Sequence, residues 1–159
     1  MREMTDLNAS SARVGPLTRT EIARAALDLV DELGVHDFSM RRLADALGVT
    51  TMAVYHHFRN KAEILQAAAD QVWIEVALTV QQLDDPIEDI IQSMLVIRRA
   101  FAAHVEVTTF AFASPTTEDA LHVTTLAIVQ RFERAGFRGP DVAHAYNAIA
   151  TYTLSLIHI

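Results

Sequence analysis

The sequence predicts an all-α protein. Hydrophobic residues make up 51% of the 159 positions and charged residues 21%, which is enough apolar side chain to form a core and excludes general disorder. Only five glycines and four prolines occur, and their scarcity favours helices over a many-turned β sandwich. Every periodic segment repeats its apolar residues at helical spacing, and no segment alternates as a strand does.

The first helix is predicted over residues 18–33. Residues 1–15 before it are polar and are interpreted as a flexible arm. Thr18 and Glu21 have the spacing of a capping box, in which each side chain satisfies the other residue's backbone amide. Gly34 ends the helix, as glycine commonly does. The apolar stripe consists of Ile22, Ala26, Leu29, Val30 and Leu33.

Three further helices follow with short connections. The second begins at Ser39 and is closed by Gly48 after roughly two turns. The third is capped by Thr50 or Thr51 and runs through His57. The fourth is capped by Asn60 and continues for about 20 residues.

The C-terminal half is predicted to contain three more helices. Asp85-Pro86 breaks the chain and starts a helix that reaches about residue 103. Residues 104–115 form a looser segment, and a long helix then runs to Gly136. A last helix starts after Gly139-Pro140. On the first of these helices, Glu88, Asp89, Arg98 and Arg99 are expected to form a solvated face.

Residues 39–58 have the pattern of a helix-turn-helix, because two short helices are joined by the tight turn at Gly48. A positive φ at Gly48 would allow the sharp turn. Burial of Leu43, Leu47, Val49 and Val54 against the first helix would turn one face of the third helix outward. The outward residues are then Thr50, Thr51, Met52, Ala53, Tyr55, His56 and His57.

Such a helix fits the major groove of DNA. Hydroxyl and methyl groups near its start would reach base edges, Tyr55, His57 and Lys61 would reach phosphates, and Arg41 would lie on the helix that crosses the backbone. The residues alone leave an alternative: an ordinary helix corner in which Tyr55 packs and both histidines are solvated.

Charge is divided unevenly along the chain. The net charge is −7, yet residues 1–62 hold eight basic and eight acidic residues, so residues 63–159 carry the whole excess. Residues 38–62 are locally +3. Such a patch suits a protein that touches phosphates with one face, although four basic residues in this stretch also fit an ordinary surface.

Residues 16–76 resemble the DNA-binding domain of the TetR family of bacterial transcriptional regulators. The resemblance is carried by TRTEIARAALDLVDELG, Phe38, RRLADALGV, the run Val54-Tyr55-His56-His57-Phe58, Asn60-Lys61 and Ile64-Leu65. It implies a three-helix head joined through a long fourth helix to a helical bundle. It also implies DNA contacts from Arg41, Thr51, Met52, Ala53, Tyr55, His57 and Lys61, and His56 departs from the aromatic residue or arginine often found at its position.

Residues 77–159 resemble the tetracycline-repressor type of C-terminal domain through the Gly136–Gly139 break and the helix AxxxYNAIATYTL. The resemblance implies a ligand-binding and dimerising bundle, and hence operator DNA, a small-molecule effector and a second copy of the chain as partners. Each pocket candidate has core packing as its alternative reading, and no cofactor or metal is expected, although a three-histidine site is conceivable. The candidates are Phe101, His104, Phe110, Phe112, His122, Leu126, His144, Asn147 and Tyr152.

The two ends of the chain carry expectations of their own. The N-terminus lacks the apolar stretch of a secretory signal, and no apolar run is long enough to span a membrane, so a cytoplasmic location is expected. Residues 154–159, LSLIHI, match what a transposon mosaic end used in sequencing adapters encodes. We therefore expect native sequence to stop near Thr153 and the C-terminal domain to be incomplete.

The sequence thus predicts a sequence-specific DNA-binding transcriptional regulator, a dimeric repressor that a small molecule releases from its operator. The alternative is a helical protein-protein interaction module that does not read DNA. An enzyme is not expected, because HExxH, GxSxG, P-loop and GxGxxG patterns are all absent.

Overall fold

The computed structural model describes residues 16–113 and 118–155, and the side chains in these ranges other than those of 112, 118–124 and 154. All secondary structure within these ranges is helical, which confirms the predicted all-α class. None of the described helices is long and apolar enough to cross a membrane. The helices are α1 Arg19–Asp37, α2 Met40–Leu47, α3 Thr51–Tyr55, α4 Lys61–Thr79, α5 Pro86–Ala103, α6 Val105–Ala113, α7 Glu118–Arg134 and α8 Pro140–Ser155.

Side-chain caps fix where most of the first helices begin. The predicted capping box is present on α1: the Thr18 hydroxyl accepts the Glu21 N–H at 3.2 Å, and Glu21 Oε2 accepts the Thr18 N–H at 2.8 Å. Asn60 accepts the Glu63 N–H at 2.9 Å at the start of α4. Each cap satisfies an amide that the first helical turn leaves without an intrahelical partner.

The first helix is interrupted at Gly34, where the sequence predicts its end, and one further helical turn follows. Gly34 has φ 81° and ψ 158°, so the helix is kinked there and continues to Asp37. Only glycine adopts this backbone region readily. The kink redirects the following backbone groups out of the helix, and their partners lie elsewhere in the fold.

One hydrophobic core runs through both halves of the molecule. Its N-terminal part lies between α1, α2, α3 and the first turns of α4, and α4 carries it on to α5, α6 and α7. The three-helix head is therefore joined to the bundle by a shared helix, as predicted. The largest fully buried side chains are Phe58, Phe101, Phe132, Ile22, Leu43, Ile64 and Leu65.

Two expectations about the bundle were wrong. The segment from 104 to 115 contains the regular helix α6, although its β-branched residues lower helix propensity. Asp89 is not on a solvated face: it is fully buried, 3.1 Å from Arg131 Nε and 2.7 Å from Arg134 Nη1. The Asp89 carboxylate therefore joins the start of α5 to the end of α7. Arg134 Nη2 also donates to the Leu83 carbonyl, just before α5.

Candidate nucleic-acid interface

The helix-turn-helix is built by two side-chain caps and one glycine. Ser39 accepts the Arg42 N–H and Thr50 accepts the Ala53 N–H, each at 3.3 Å, so both short helices begin where the sequence predicts. Gly48 closes α2 in the left-handed region, with φ 66° and ψ 33°. The left-handed turn that glycine permits lets α3 leave α2 at a sharp angle.

Buried residues on both sides of α3 hold its orientation. Val54 and Leu43 are completely buried, and Phe58, just after α3, is 1% exposed. The helix α3 has only five residues, about one and a half turns. Because Val54 points into the core, the opposite side of the helix faces outward. Leu47 and Val49 pack against the same core, in agreement with the sequence prediction.

The outward side of α3 carries the predicted candidates together. Met52 is 67% and Tyr55 47% exposed, and Thr50 and His56 are also exposed. Thr51, Ala53 and His57 are half-buried at its edges. Thr50 uses a lone pair for its cap and keeps its hydroxyl proton as a donor. The surface therefore offers hydroxyl, methyl, thioether, phenol and imidazole groups on one narrow ridge.

Exposed cations flank this ridge. The Arg41 side chain is 88% exposed and its Nε lies 3.9 Å from Asp45 Oδ2, a weak surface pair. Arg59 is also exposed. Arg42 is partly committed, because its Nη1 donates to the Asp37 carbonyl at 3.1 Å. Arg41 and Arg59 are thus the side chains of this patch best placed to meet an anion.

Lys61 differs from its expected role. Its Nζ donates to the Val35 and Phe38 carbonyls at 2.7 Å each and lies 5.6 Å from the Phe38 ring centre. Both carbonyls lie at the end of α1, where the last turn leaves carbonyls without an intrahelical partner, and the first residue of α4 satisfies them. An ammonium group has three donors, so Lys61 in this structure ties α4 to the end of α1 and has one donor left for a phosphate.

Arg19 is a residue of this region that the sequence analysis missed. Its guanidinium group donates to the His57 carbonyl and to Glu63 Oε1, the latter at 3.0 Å, and lies 4.1 Å from the Phe58 ring centre. The first turn of α1 therefore clamps the turn between α3 and α4. Because its partners lie 38 and 44 residues away, helical periodicity gives no signal for this contact.

Glu63 completes the clamp. The backbone N–H of Arg59 donates to Glu63 Oε2 at 2.7 Å, while Oε1 accepts from Arg19. The Arg59 amide holds the pKa of the Glu63 carboxyl below its ordinary value, burial opposes this, and the hydrogen bond and charge of Arg19 lower the pKa further.

Comparison with known proteins bears on this geometry. A family model described as bacterial regulatory proteins, tetR family, matches residues 22–68. Over 141 residues, 89% of the chain, the sequence is 31% identical to an HTH-type transcriptional regulator of Saccharopolyspora erythraea. The chain carries, over residues 22–68, a head of the TetR family. Its fold agrees, with a TM-score of 0.75 and 27% identity, with the crystal structure of a possible TetR family transcriptional regulator from Streptomyces coelicolor A3(2), over 88% of this chain and 69% of that one.

A second curated relative aligns with the head of this chain. The tetracycline repressor protein class A from transposon 1721 of Escherichia coli is 48% identical over 54 residues, 34% of this chain and 25% of that protein. The alignment with the Saccharopolyspora regulator covers 60% of that protein. The chain thus spans less than two thirds of these relatives.

The pocket candidates whose side chains the structure describes are not brought together. Phe101 is buried edge-to-face against Trp73, with ring centres 4.7 Å apart, and Phe110 is half-buried in the core. Leu126, His144, Asn147 and Tyr152 are exposed, and their role as pocket lining stays a prediction. Phe112 and His122 lie outside the described side chains.

A different set of residues lines a groove of about 390 Å³ where α4 meets α5. None of the predicted pocket residues lines this groove, because the groove lies around the end of α4 and the first turns of α5. Its lining consists of Thr79, Val80, Gln81, Leu83, Glu88, Gln92, Ser93 and Val96.

Proposed function

We propose that the chain is a sequence-specific DNA-binding transcriptional regulator, and that residues 16–76 form its DNA-binding domain. The observation that carries the proposal is the exposed ridge of α3, with Met52 and Tyr55 outward and Val54 buried behind them. A helix held in this way can enter the major groove, where side chains distinguish base pairs. The HTH-type regulator from Saccharopolyspora supports the same reading.

The ridge and its flanks have separate roles in this proposal. Thr50, Thr51, Met52 and Ala53 lie at the start of α3 and contact base edges. Tyr55, His56 and His57 reach the sugar-phosphate backbone, together with Arg41 and the remaining donor of Lys61. Phosphate contacts fix the position of the protein and base contacts provide the specificity.

The test is selection of duplexes from a random-sequence library, followed by titration of the enriched duplex at several salt concentrations. Arg41→Ala should weaken binding to enriched and unrelated duplexes alike and reduce the salt slope by about 1. Thr51→Ala should instead weaken the enriched duplex alone, by about 1–3 kcal/mol.

Arg99→Ala is the matched control, because Arg99 is an exposed arginine on α5, away from the ridge. It should bind as the unmodified chain does. The proposal fails if no duplex is enriched or if the two arginine variants behave alike, and the second outcome favours the interaction module.

We further propose that the regulator is a repressor that acts as a homodimer and is released by a small molecule bound in residues 77–159. The tetracycline repressor of transposon 1721 supports this through its similarity to the head. A ligand releases DNA only if it binds one conformation better than the other. A small molecule that binds the protein and raises its unfolding temperature should therefore lower the affinity of the protein for the duplex. The duplex should lower the affinity of the protein for that molecule by the same factor. A stabilising compound without this reciprocity would not be the effector.

A further inference from the structure

The end of α1 is joined to the corner between α5 and α6 by two hydrogen bonds. Because of the kink at Gly34, the Val35 N–H has left the helix, and Glu106 Oε2 accepts it at 3.1 Å. One turn earlier on α1, Asp31 Oδ2 lies 2.6 Å from His104 Nδ1. We call these four residues, Asp31, Val35, His104 and Glu106, the corner latch.

His104 is built into this position. It is the residue between α5 and α6, with φ −123° and ψ 45°, and its side chain is only 17% exposed. A carboxylate only accepts hydrogen bonds, so Nδ1 donates its proton to Asp31. The other ring nitrogen lies 3.6 Å from Glu75 Oε2 on α4. One imidazole thus lies between the corner, α1 and α4.

The corner latch is continuous with the support of the candidate interface. The Val35 N–H is held by Glu106 of α6, while the Val35 carbonyl is held by Lys61 Nζ at 2.7 Å. Lys61 begins α4, directly after the turn that follows α3. A shift of the corner that withdraws Glu106 leaves the Val35 amide without this partner and disturbs the residue that Lys61 binds.

We propose that His104 and Glu106 are positioning residues that set the orientation of the head relative to the bundle. Movement of the α5–α6 corner is passed through Asp31 and Val35 to α1, and through Lys61 to the base of α3. The orientation itself follows from the geometry, and only its consequence for DNA rests on the proposed function. Neither residue touches DNA in this account.

The chain has no cysteine, so a distance between head and bundle can be measured with two introduced spin labels. Ala46 on α2 and Gln130 on α7 are exposed and far from the latch in sequence, and both suit replacement by cysteine. Double electron–electron resonance then gives the distance between the two labels. Dilution of the labelled chain with unlabelled chain ensures that this distance lies within one molecule. Circular dichroism confirms that each variant is folded at the temperature used for labelling.

The unmodified latch should give one narrow distance distribution. The double variant His104→Ala with Glu106→Ala should broaden or shift it. The matched variant His104→Asn with Glu106→Gln keeps an amide donor for Asp31 and an oxygen acceptor for Val35, so it should restore the narrow distribution. An alanine variant with the same mean distance and width as the unmodified chain overturns the proposal, as does a conservative variant that differs from the unmodified chain as much as the alanine variant does.

The same variants without labels are then titrated with the enriched duplex. The alanine variant should bind about 5–10-fold more weakly, since fewer molecules hold the head in the competent orientation, and its salt slope should stay unchanged. Equal affinity despite a broadened distance would overturn the link to DNA. Failure of the proposed function has a different signature, because the unmodified chain would enrich no duplex while the distance measurement would stand.

Discussion

Two carboxyl groups on α4 respond to their surroundings in opposite directions. Glu63 lies at the start of the helix, where the Arg59 amide and Arg19 stabilise its charged form and lower its pKa. Asp70 lies about two turns later, where burial raises its pKa and only a long bond from Gln66 Nε2, 3.4 Å, opposes this. The sequence shows two acidic residues, and only the fold gives them different environments.

Glu63→Gln should lower the free energy of unfolding at neutral pH. The folded-state pKa of Glu63 is below its unfolded value, so its charged form stabilises the fold above the unfolded pKa, and this contribution is lost as pH falls through the folded pKa. The difference between the variant and the unmodified chain should therefore shrink in acid, as urea unfolding between pH 3 and pH 7 would show. Glu32→Gln on the exposed side of α1 is the control, and a pH-independent difference for Glu63→Gln would contradict the prediction.

Asp70→Asn should have the opposite sign. Burial raises the folded-state pKa of Asp70, so its charged form costs stability above that pKa, and the cost disappears as pH falls towards the unfolded value. The asparagine keeps an oxygen acceptor for Gln66. The variant should therefore be more stable at neutral pH and lose this advantage in acid, in the same urea experiment. A variant less stable than the unmodified chain at pH 7 would show that burial of this carboxyl is not the dominant effect.

Between elements, the buried carboxylate of Asp89 forms two ion pairs within the bundle. It joins α5 to α7 through Arg131 and Arg134 and is completely buried. Removing one member of a buried ionic group leaves the remaining charges uncompensated, which commonly costs about 3–5 kcal/mol.

Asp89→Ala should therefore lower the free energy of unfolding by about 3–5 kcal/mol in urea or thermal unfolding. The neighbouring Glu88 is exposed, and its carboxylate accepts a hydrogen bond from Gln92 Nε2 at 2.7 Å on the same helix. Glu88→Ala should stay within about 0.5 kcal/mol of the unmodified chain. Similar losses for the two variants would mean that Asp89 is not the link between the helices.

The elements also show why sequence patterns predict some features and miss others. The caps at Thr18, Ser39, Thr50 and Asn60 were predictable because a side chain and its amide lie within three residues. The helix α6 was missed because no glycine or proline separates it from α5 and its run VEVTTF lacks a polar-apolar period. Its stability comes from packing on α1 and α4, which no local pattern records.

At the scale of the whole molecule, the sequence predicts which residues form the surface of the candidate interface, but not the long-range contacts that hold this surface in place. Its outward ridge follows from the helix-turn-helix pattern, because burial of Val54 determines which residues face out. Arg19 and the inward role of Lys61 depend on contacts between distant segments, and so does the corner latch. Residue type alone also did not predict which pocket candidates on α7 and α8 are exposed, because exposure depends on how those helices pack.

The division of charge also acts at this scale. The acidic excess lies entirely in residues 63–159, while the exposed cations Arg41 and Arg59 flank the ridge of α3. An approaching polyanion is repelled by the bundle and attracted by the locally positive residues 38–62, which favours encounters with the ridge foremost. The same arrangement limits non-specific binding along the rest of the surface.

The central claim is that the ridge of α3 lies against bases, and directed cleavage tests it most directly. An iron chelate attached at Met52→Cys, in a chain with no other cysteine, generates radicals at the point of attachment. On the enriched duplex it should cut both strands within the selected sequence, whereas the same chelate at Gln130→Cys should not. A conjugate at His56→Cys provides a second position if the first weakens binding. Bound conjugates at 52 and 56 that cut the selected sequence no more than the one at 130 would contradict the account.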